Sequence, residues 1–109
     1  MIPAPNDLTF IFTENLFYWQ APKNLQPELL LQNFTYVIYW STHSDMSDAS
    51  ELEVTNPPIA LSLSHDVLYY VGVKTKDKDG YLSPMSNIKR AKLSKLKYFE
   101  QVISKEFLI

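Results

Sequence analysis

The stretch from Tyr69 to Asn87, YYVGVKTKDKDGYLSPMSN, constrains the fold of this chain more than any other. Tyr69, Val71, Val73 and Thr75 recur with a period of two, which places them on one face of an extended strand. Asp79-Gly80 supplies a turn, and a short segment bearing Ser83, Pro84 and Ser86 then leads toward a second strand. The stretch therefore reads as a hairpin near the end of a small β domain. A second stretch points the same way: Phe34, Tyr36, Ile38 and Trp40 alternate with Thr35, Val37 and Tyr39, so both faces of that strand are rich in apolar groups. One face belongs to the core. The other, Val37 and Tyr39 with Tyr70 from the later strand, is either a partner surface or a set of ordinary exposed side chains.

The rest of the chain adds shorter strands. Leu8, Phe10 and Phe12 alternate after two prolines, and Phe17 and Trp19 point one way while Leu16 and Tyr18 point the other. Trp19 is expected at the centre of the core, because one large ring between two sheets fills the space such a core leaves. Leu52 and Val54 form a short strand ended by Asn56-Pro57-Pro58, and Ile59, Leu61 and Leu63 alternate as a further core strand. The expected core is thus Trp19, Tyr36, Ile38, Leu61, Leu63, Tyr69, Val71 and Val73. A chain of 109 residues is one domain, and with no cysteine it holds together by packing alone.

Leu63, Tyr69, Val71, Val73, Gly80, Ser83 and Ser86 stand at the spacing of the last two strands of fibronectin type III domains, and Tyr69 resembles that family's corner tyrosine. Trp19-Gln20-Ala21-Pro22 resembles the W-x-x-P that closes its second strand, Thr35 to Ser41 its third strand, and Pro5 with Leu8 the opening of its first. His65 and Val67 depart from the proline and threonine usual before the corner tyrosine. The resemblance implies an all-β fold, a seven-stranded immunoglobulin-like antiparallel β-sandwich, over residues 1–93. It also implies a spacer or binding module, while fold alone does not give function.

Two segments fall outside that pattern. Leu29, Leu30 and Leu31 stand in a long connection, where they either cap the open end of the sandwich or form a contact patch. After Leu93, Ser94 is a helix cap, and Leu96, Phe99, Ile103 and Phe107 share one helical face with Val102 alongside. Residues 94–109 are therefore expected to be an added C-terminal amphipathic α-helix. At about fifteen residues it is marginal alone in water, and its stripe is expected to dock on a protein partner, including a second copy of the chain; the chain's own sandwich, at Val37 and Tyr39, is the alternative.

Charge is uneven. Residues 1–85 carry four lysines against ten carboxylates, whereas residues 86–109 carry six cations against two glutamates. Lys89, Arg90 and Lys92 either solvate and guard an edge strand or draw the basic end to an acidic partner, such as a neighbouring copy. An acidic chain with no recognition helix and no RNP-type motif argues against nucleic acid, and no stretch approaches the ~20 apolar residues of a membrane span.

The residues offer little chemistry. There is no G-x-S-x-G, and His43 and His65 lack ligand partners at helical or hairpin spacing. Asp77-Lys78-Asp79-Gly80 lacks the later ligands of a calcium loop. Glu51 and Glu53 read as the solvated face of a short strand, and two isolated glycines make no phosphate cradle. No catalytic residue, cofactor or metal is expected. Asn33-Phe34-Thr35 is a glycosylation sequon. Met1 followed by Ile-Pro-Ala-Pro has neither a basic nor an apolar signal region, so a native Met1 argues against conventional secretion. The expectation is a non-enzymatic structural or protein-binding module that docks on a larger assembly, such as a virion or surface structure. An extracellular adhesion or receptor module excised from a longer chain is the alternative.

Overall fold

The structure, a computed structural model, describes residues 2–11, 14–22 and 34–93. Within them lie six strands: β1 (Asn6–Ile11), β2 (Leu16–Gln20), β3 (Thr35–Ser41), β4 (Ser50–Val54), β5 (Leu68–Lys76) and β6 (Lys89–Lys92). β1 pairs with β2 in a two-stranded sheet, and the others form a four-stranded sheet in the order β4-β3-β5-β6, every pairing antiparallel.

The period-two alternation sorts the side chains. On β3, Tyr36 and Ile38 face inward, and in register with them on β5 stand Thr75 and Val73. These meet Leu8, Phe17 and Trp19 from the smaller sheet, together with Leu61, Leu63, Ala91 and Leu93, in one buried cluster. Phe17, Ile38, Val71 and Val73 are completely enclosed. Trp19 lies at its centre, 5% exposed, with its ring edge-on to Tyr36 at 5.4 Å between centroids. Such aromatic pairs contribute beyond the area they bury.

Two serines explain how the long strand is finished. Past β6, the partner of β5 is the irregular segment around Pro84, a residue with no N–H to offer a ladder. Ser86 takes its place by gripping Val73, accepting the Val73 N–H on its Oγ at 2.9 Å and donating its own N–H to the Val73 carbonyl at 2.8 Å. Ser83 grips Thr75 in the same way, at 2.8 and 2.9 Å. Buried backbone groups must be paired, and here side-chain hydroxyls do what a strand normally does. Asn87 closes another gap. Asp7 has φ 56°, the β1–β2 register slips between Asn6 and Thr9, and the freed Leu8 backbone binds the Asn87 amide at 3.0 and 3.2 Å.

The fold departs from the expected seven-stranded sandwich with an added helix: among the described residues there are six strands and no helix. The run Ile59 to Leu63 does not extend into a strand. Ile59 exchanges two hydrogen bonds with Phe17, at 2.8 and 3.0 Å, and the ladder stops there. The Leu61 carbonyl instead receives the Asn15 side-chain amide at 3.4 Å and the Leu63 N–H at 3.0 Å, a local turn that consumes the groups a ladder would use. Leu61 and Leu63 still deliver their side chains to the core. The helix expected over 94–109, with Leu96, Phe99, Ile103 and Phe107, lies outside the described residues, as do Leu29, Leu30, Leu31 and Asn33.

Tyr69 ties the approach to β5 back onto the strand, its hydroxyl accepting the Ser64 N–H at 3.2 Å. Hydrogen bonding from Ser64 favours the phenolate and holds the hydroxyl below the ordinary tyrosine range. Tyr69→Phe is expected to lower unfolding free energy by about 1 kcal/mol, and an unchanged denaturation midpoint would show that the bond contributes nothing. Trp19→Ala should cost roughly 3 to 5 kcal/mol, read from the same urea titration. A loss below 1 kcal/mol, the ~0.5 kcal/mol scale of surface substitutions, would contradict the central placement of the ring.

Candidate functional site

The outer face of the four-stranded sheet holds the most varied set of exposed chemistry. Register fixes its rows: Glu53, Val37 and Lys74 lie side by side across β4, β3 and β5, followed by Glu51, Tyr39 and Gly72, then Ser41, Tyr70 and Arg90 across β3, β5 and β6. Val37 and Tyr39 thus stand next to one another as expected, but Val37 is only 6% exposed. Its flanking neighbours are long side chains whose methylene stems shield it. Tyr39 is half-buried, with the Lys74 ammonium 5.3 Å from its ring centroid, a cation–π geometry. Burial pushes the Tyr39 hydroxyl above its ordinary range, and the nearby Glu51 carboxylate adds to the effect.

A groove of about 320 Å³ runs along this face between Val37, Tyr39, Glu51, Glu53, Lys76 and Leu82. Its charged wall is already organised. Lys76 Nζ donates to Glu53 Oε1 at 2.7 Å, and Thr35 Oγ1 donates to Glu53 Oε2 at 3.2 Å. The rim is the turn after β5, which Asp77 builds by accepting the N–H groups of Asp79 and Tyr81 on one carboxylate oxygen, both at 2.9 Å. Gly80 supplies the left-handed residue the turn needs, φ 90°. That turn pushes Tyr81 and Leu82 outward, 70% and 46% exposed.

Sequence reasoning passed over Gly72. A Cβ there would fall on Met85 Sδ, 2.6 Å from Met85 Cγ and 3.0 Å from Ile88 Cδ1. The glycine is therefore a notch through which Met85 lies down on the sheet. A lone glycine within a strand pattern is the signal that marks such an approach. Tyr81 and Leu82 were missed as well, because a turn sequence gives no period from which to infer exposure.

The other residues singled out are dispersed. His43 and His65 are exposed at separate places, the first at the end of β3 and the second bridged to Leu93. A hollow of about 460 Å³ lies between Asn15, Leu61, Leu63, His65 and Leu93, where the Asn15 Nδ2 donates to the Leu61 carbonyl and its Oδ1 has no partner among the described residues. What the outer face assembles is an apolar wall, an aromatic ring under a cation and an ion pair, the means to recognise a surface.

The ion pair gives a pH signature. Hydrogen bonding from Lys76 holds the Glu53 carboxyl below its ordinary range, and the same bond raises Lys76. A depressed carboxyl contributes stability above its unfolded pKa and loses it as pH falls through the folded value. A raised lysine contributes below its unfolded pKa and loses its share as pH rises through the folded value. In a carbon-detected NMR titration, Glu53 is expected to titrate below an ordinary glutamate and to return toward it in Lys76→Met. A Glu53 midpoint indifferent to that substitution would show that the pair is not formed in solution.

No family model matches the chain, and no curated protein matches it. A search of solved structures finds a likeness to one titled "Myokine structure", at 18% identity and a TM-score of 0.61, covering 87% of this chain and 100% of that one. At that identity the likeness is one of architecture. It supports a fibronectin type III-like fold for this chain.

Proposed function

We propose that the chain is a non-enzymatic protein-binding module, a component that docks on a larger assembly through the outer face of its four-stranded sheet. The observation that carries this reading is the pair Tyr81 and Leu82, two adjacent large side chains held 70% and 46% exposed by a hydrogen-bonded turn. Single exposed apolar residues need no explanation, but Leu82 lines a groove that already has an aromatic floor and a charged wall, and Tyr81 beside it lines an adjoining hollow with Ile2 and Asp77. Tyrosine is enriched where few residues carry most of the binding energy, because it buries a large rigid area and keeps a polar tip. The fibronectin type III-like architecture is consistent with such a module. A virion or another surface structure is the kind of assembly this reading anticipates.

Site-specific photocrosslinking tests it. A photoreactive side chain at position 82 is expected to give one saturable adduct with a protein from the native source, competed away by unlabelled chain. The same group at Ser64, an exposed residue bonded to Tyr69 at the end of β5 opposite Lys76, should give none. Equal labelling from the two positions, or no competition, would overturn the assignment of the groove.

A further inference from the structure

Among the described residues the four-stranded sheet ends in β4 on one side and β6 on the other, and these two edges carry opposite charge. β4 reads Ser-Glu-Leu-Glu-Val and β6 reads Lys-Arg-Ala-Lys, and Glu51, Leu52, Glu53, Lys89, Arg90 and Lys92 are all exposed. Charged residues on an edge strand discourage it from pairing with a copy of itself. A β4–β4 contact would set carboxylates against carboxylates, and a β6–β6 contact cations against cations. The mixed contact alone brings opposite charges together.

The backbone agrees with the charges. Val73 exchanges its hydrogen bonds with Ser86, so its N–H and C=O point toward the β6 side of β5. In an antiparallel ladder this direction alternates along the strand. Val71 and Tyr69 therefore also address β6, where they meet Lys89 and Ala91, and the backbone groups of Arg90 and Lys92 point away from the sheet. Gly72 and Lys74 address β3 at Tyr39 and Val37, which leaves Tyr36, Ile38 and Trp40 to address β4 at Val54, Leu52 and Ser50. Glu51 and Glu53 consequently direct their backbone groups outward. The same four residues share the outer face, Glu51 and Glu53 beside Tyr39 and Val37, Arg90 and Lys92 beside Tyr70 and Leu68.

Strand direction agrees too. Successive neighbours in the order β4-β3-β5-β6 are antiparallel, so β4 and β6 run in opposite directions. A second copy laid beside the first with the same face outward presents its β4 antiparallel to β6. We propose that the chain self-associates head to tail, β6 of one copy pairing with β4 of the next, with Glu53 opposite Arg90, Glu51 opposite Lys92 and Leu52 opposite Ala91. Leu52, 46% exposed in the single chain, is then covered by the neighbouring sheet. Glu53 keeps its bond to Lys76 and Thr35 along its own sheet while presenting its half-exposed carboxylate to Arg90. β1 touches β6 on its buried side, where Leu8 and Ala91 share the core, and bonds Asn87 ahead of the strand, while Lys89, Arg90 and Lys92 remain exposed. Such a contact is heterologous, so it propagates and does not close on itself as a two-fold dimer would.

Glu51 and Glu53 also wall the groove, whereas Arg90 and Lys92 do not line it, so R90E/K92E is the variant that tests the sheet edge with the groove intact. Sedimentation velocity of the full chain over a concentration series is expected to show association that weakens as salt is raised. E51K/E53K and R90E/K92E should each associate at least about tenfold more weakly than the parent. Mixing the two variants should restore association, because each reversed edge then meets its complement on the other copy. A chain monomeric throughout at low salt, variants that associate like the parent, or a mixture that stays monomeric would each overturn the proposal. Circular dichroism checks that both variants fold. Should either fail to fold, the absence of native cysteine provides a second reading. Glu51→Cys and Lys92→Cys chains should form mixed disulfides when combined, and failure to cross-link above the level of Glu51→Cys alone also overturns it. Leu82→Ala, in the groove lining, is expected to leave association unchanged, which separates this contact from the groove.

Discussion

The grip of Ser86 on Val73 and of Ser83 on Thr75 is the interaction on which the rest of the structure depends. β5 contributes Val71 and Val73 to the centre of the core and carries Gly72, Lys74 and Lys76 on the outer face, so its position sets both surfaces of the sheet. A buried strand whose N–H groups found no acceptor would lose about 1 to 3 kcal/mol for each. The serine hydroxyls prevent that where Pro84 interrupts regular pairing, and each passes its own proton on, to the carbonyls of Pro84 and Asn87. The chain thereby leaves β5, turns at Asp77 to Gly80 and returns as β6 without losing the alignment of either strand.

The outer face follows from that alignment. Because β5 is fixed, Lys76 comes opposite Thr35 and within reach of Glu53, and Lys74 comes over Tyr39. The returning segment also brings Met85 across Gly72. Side chains that a sequence spreads over fifty positions become one continuous surface, with an acidic edge at β4 and a basic edge at β6. The uneven charge of the chain, acidic over most of its length and basic toward the end, thus reappears as a gradient across the width of one sheet.

Much of this was legible in the residues, and for a stated reason. Alternation on Phe34 to Trp40 and on Tyr69 to Thr75 has one structural reading, since a one-residue slip would exchange core and solvent faces. The expected strand at Ile59 to Leu63 failed because alternation reports which side chains are buried and says nothing of where the backbone bonds go. Leu61 and Leu63 are buried as their pattern suggests, while Asn15 and a local turn take the groups a strand would have used. The bonds of Asn87 to Leu8 join residues 79 positions apart, which no local pattern reveals. Of the candidate site, the outward face of Val37 and Tyr39 was legible from period two. The shielding of Val37 was not, because it depends on which long side chains stand beside it in register.

The account rests on serine side chains standing in for a strand, and residue-resolved amide hydrogen exchange tests that most directly. Hydrogen-bonded and buried, the amides of Val73 and Thr75 should exchange only by global unfolding, as slowly as that of Ile38 at the centre of β3. In Ser86→Ala the Val73 amide should exchange faster by a local opening while Ile38 continues to report global unfolding. Rapid exchange at Val73 and Thr75 in the parent chain, at rates near those of exposed turn residues such as Lys78, would contradict the account.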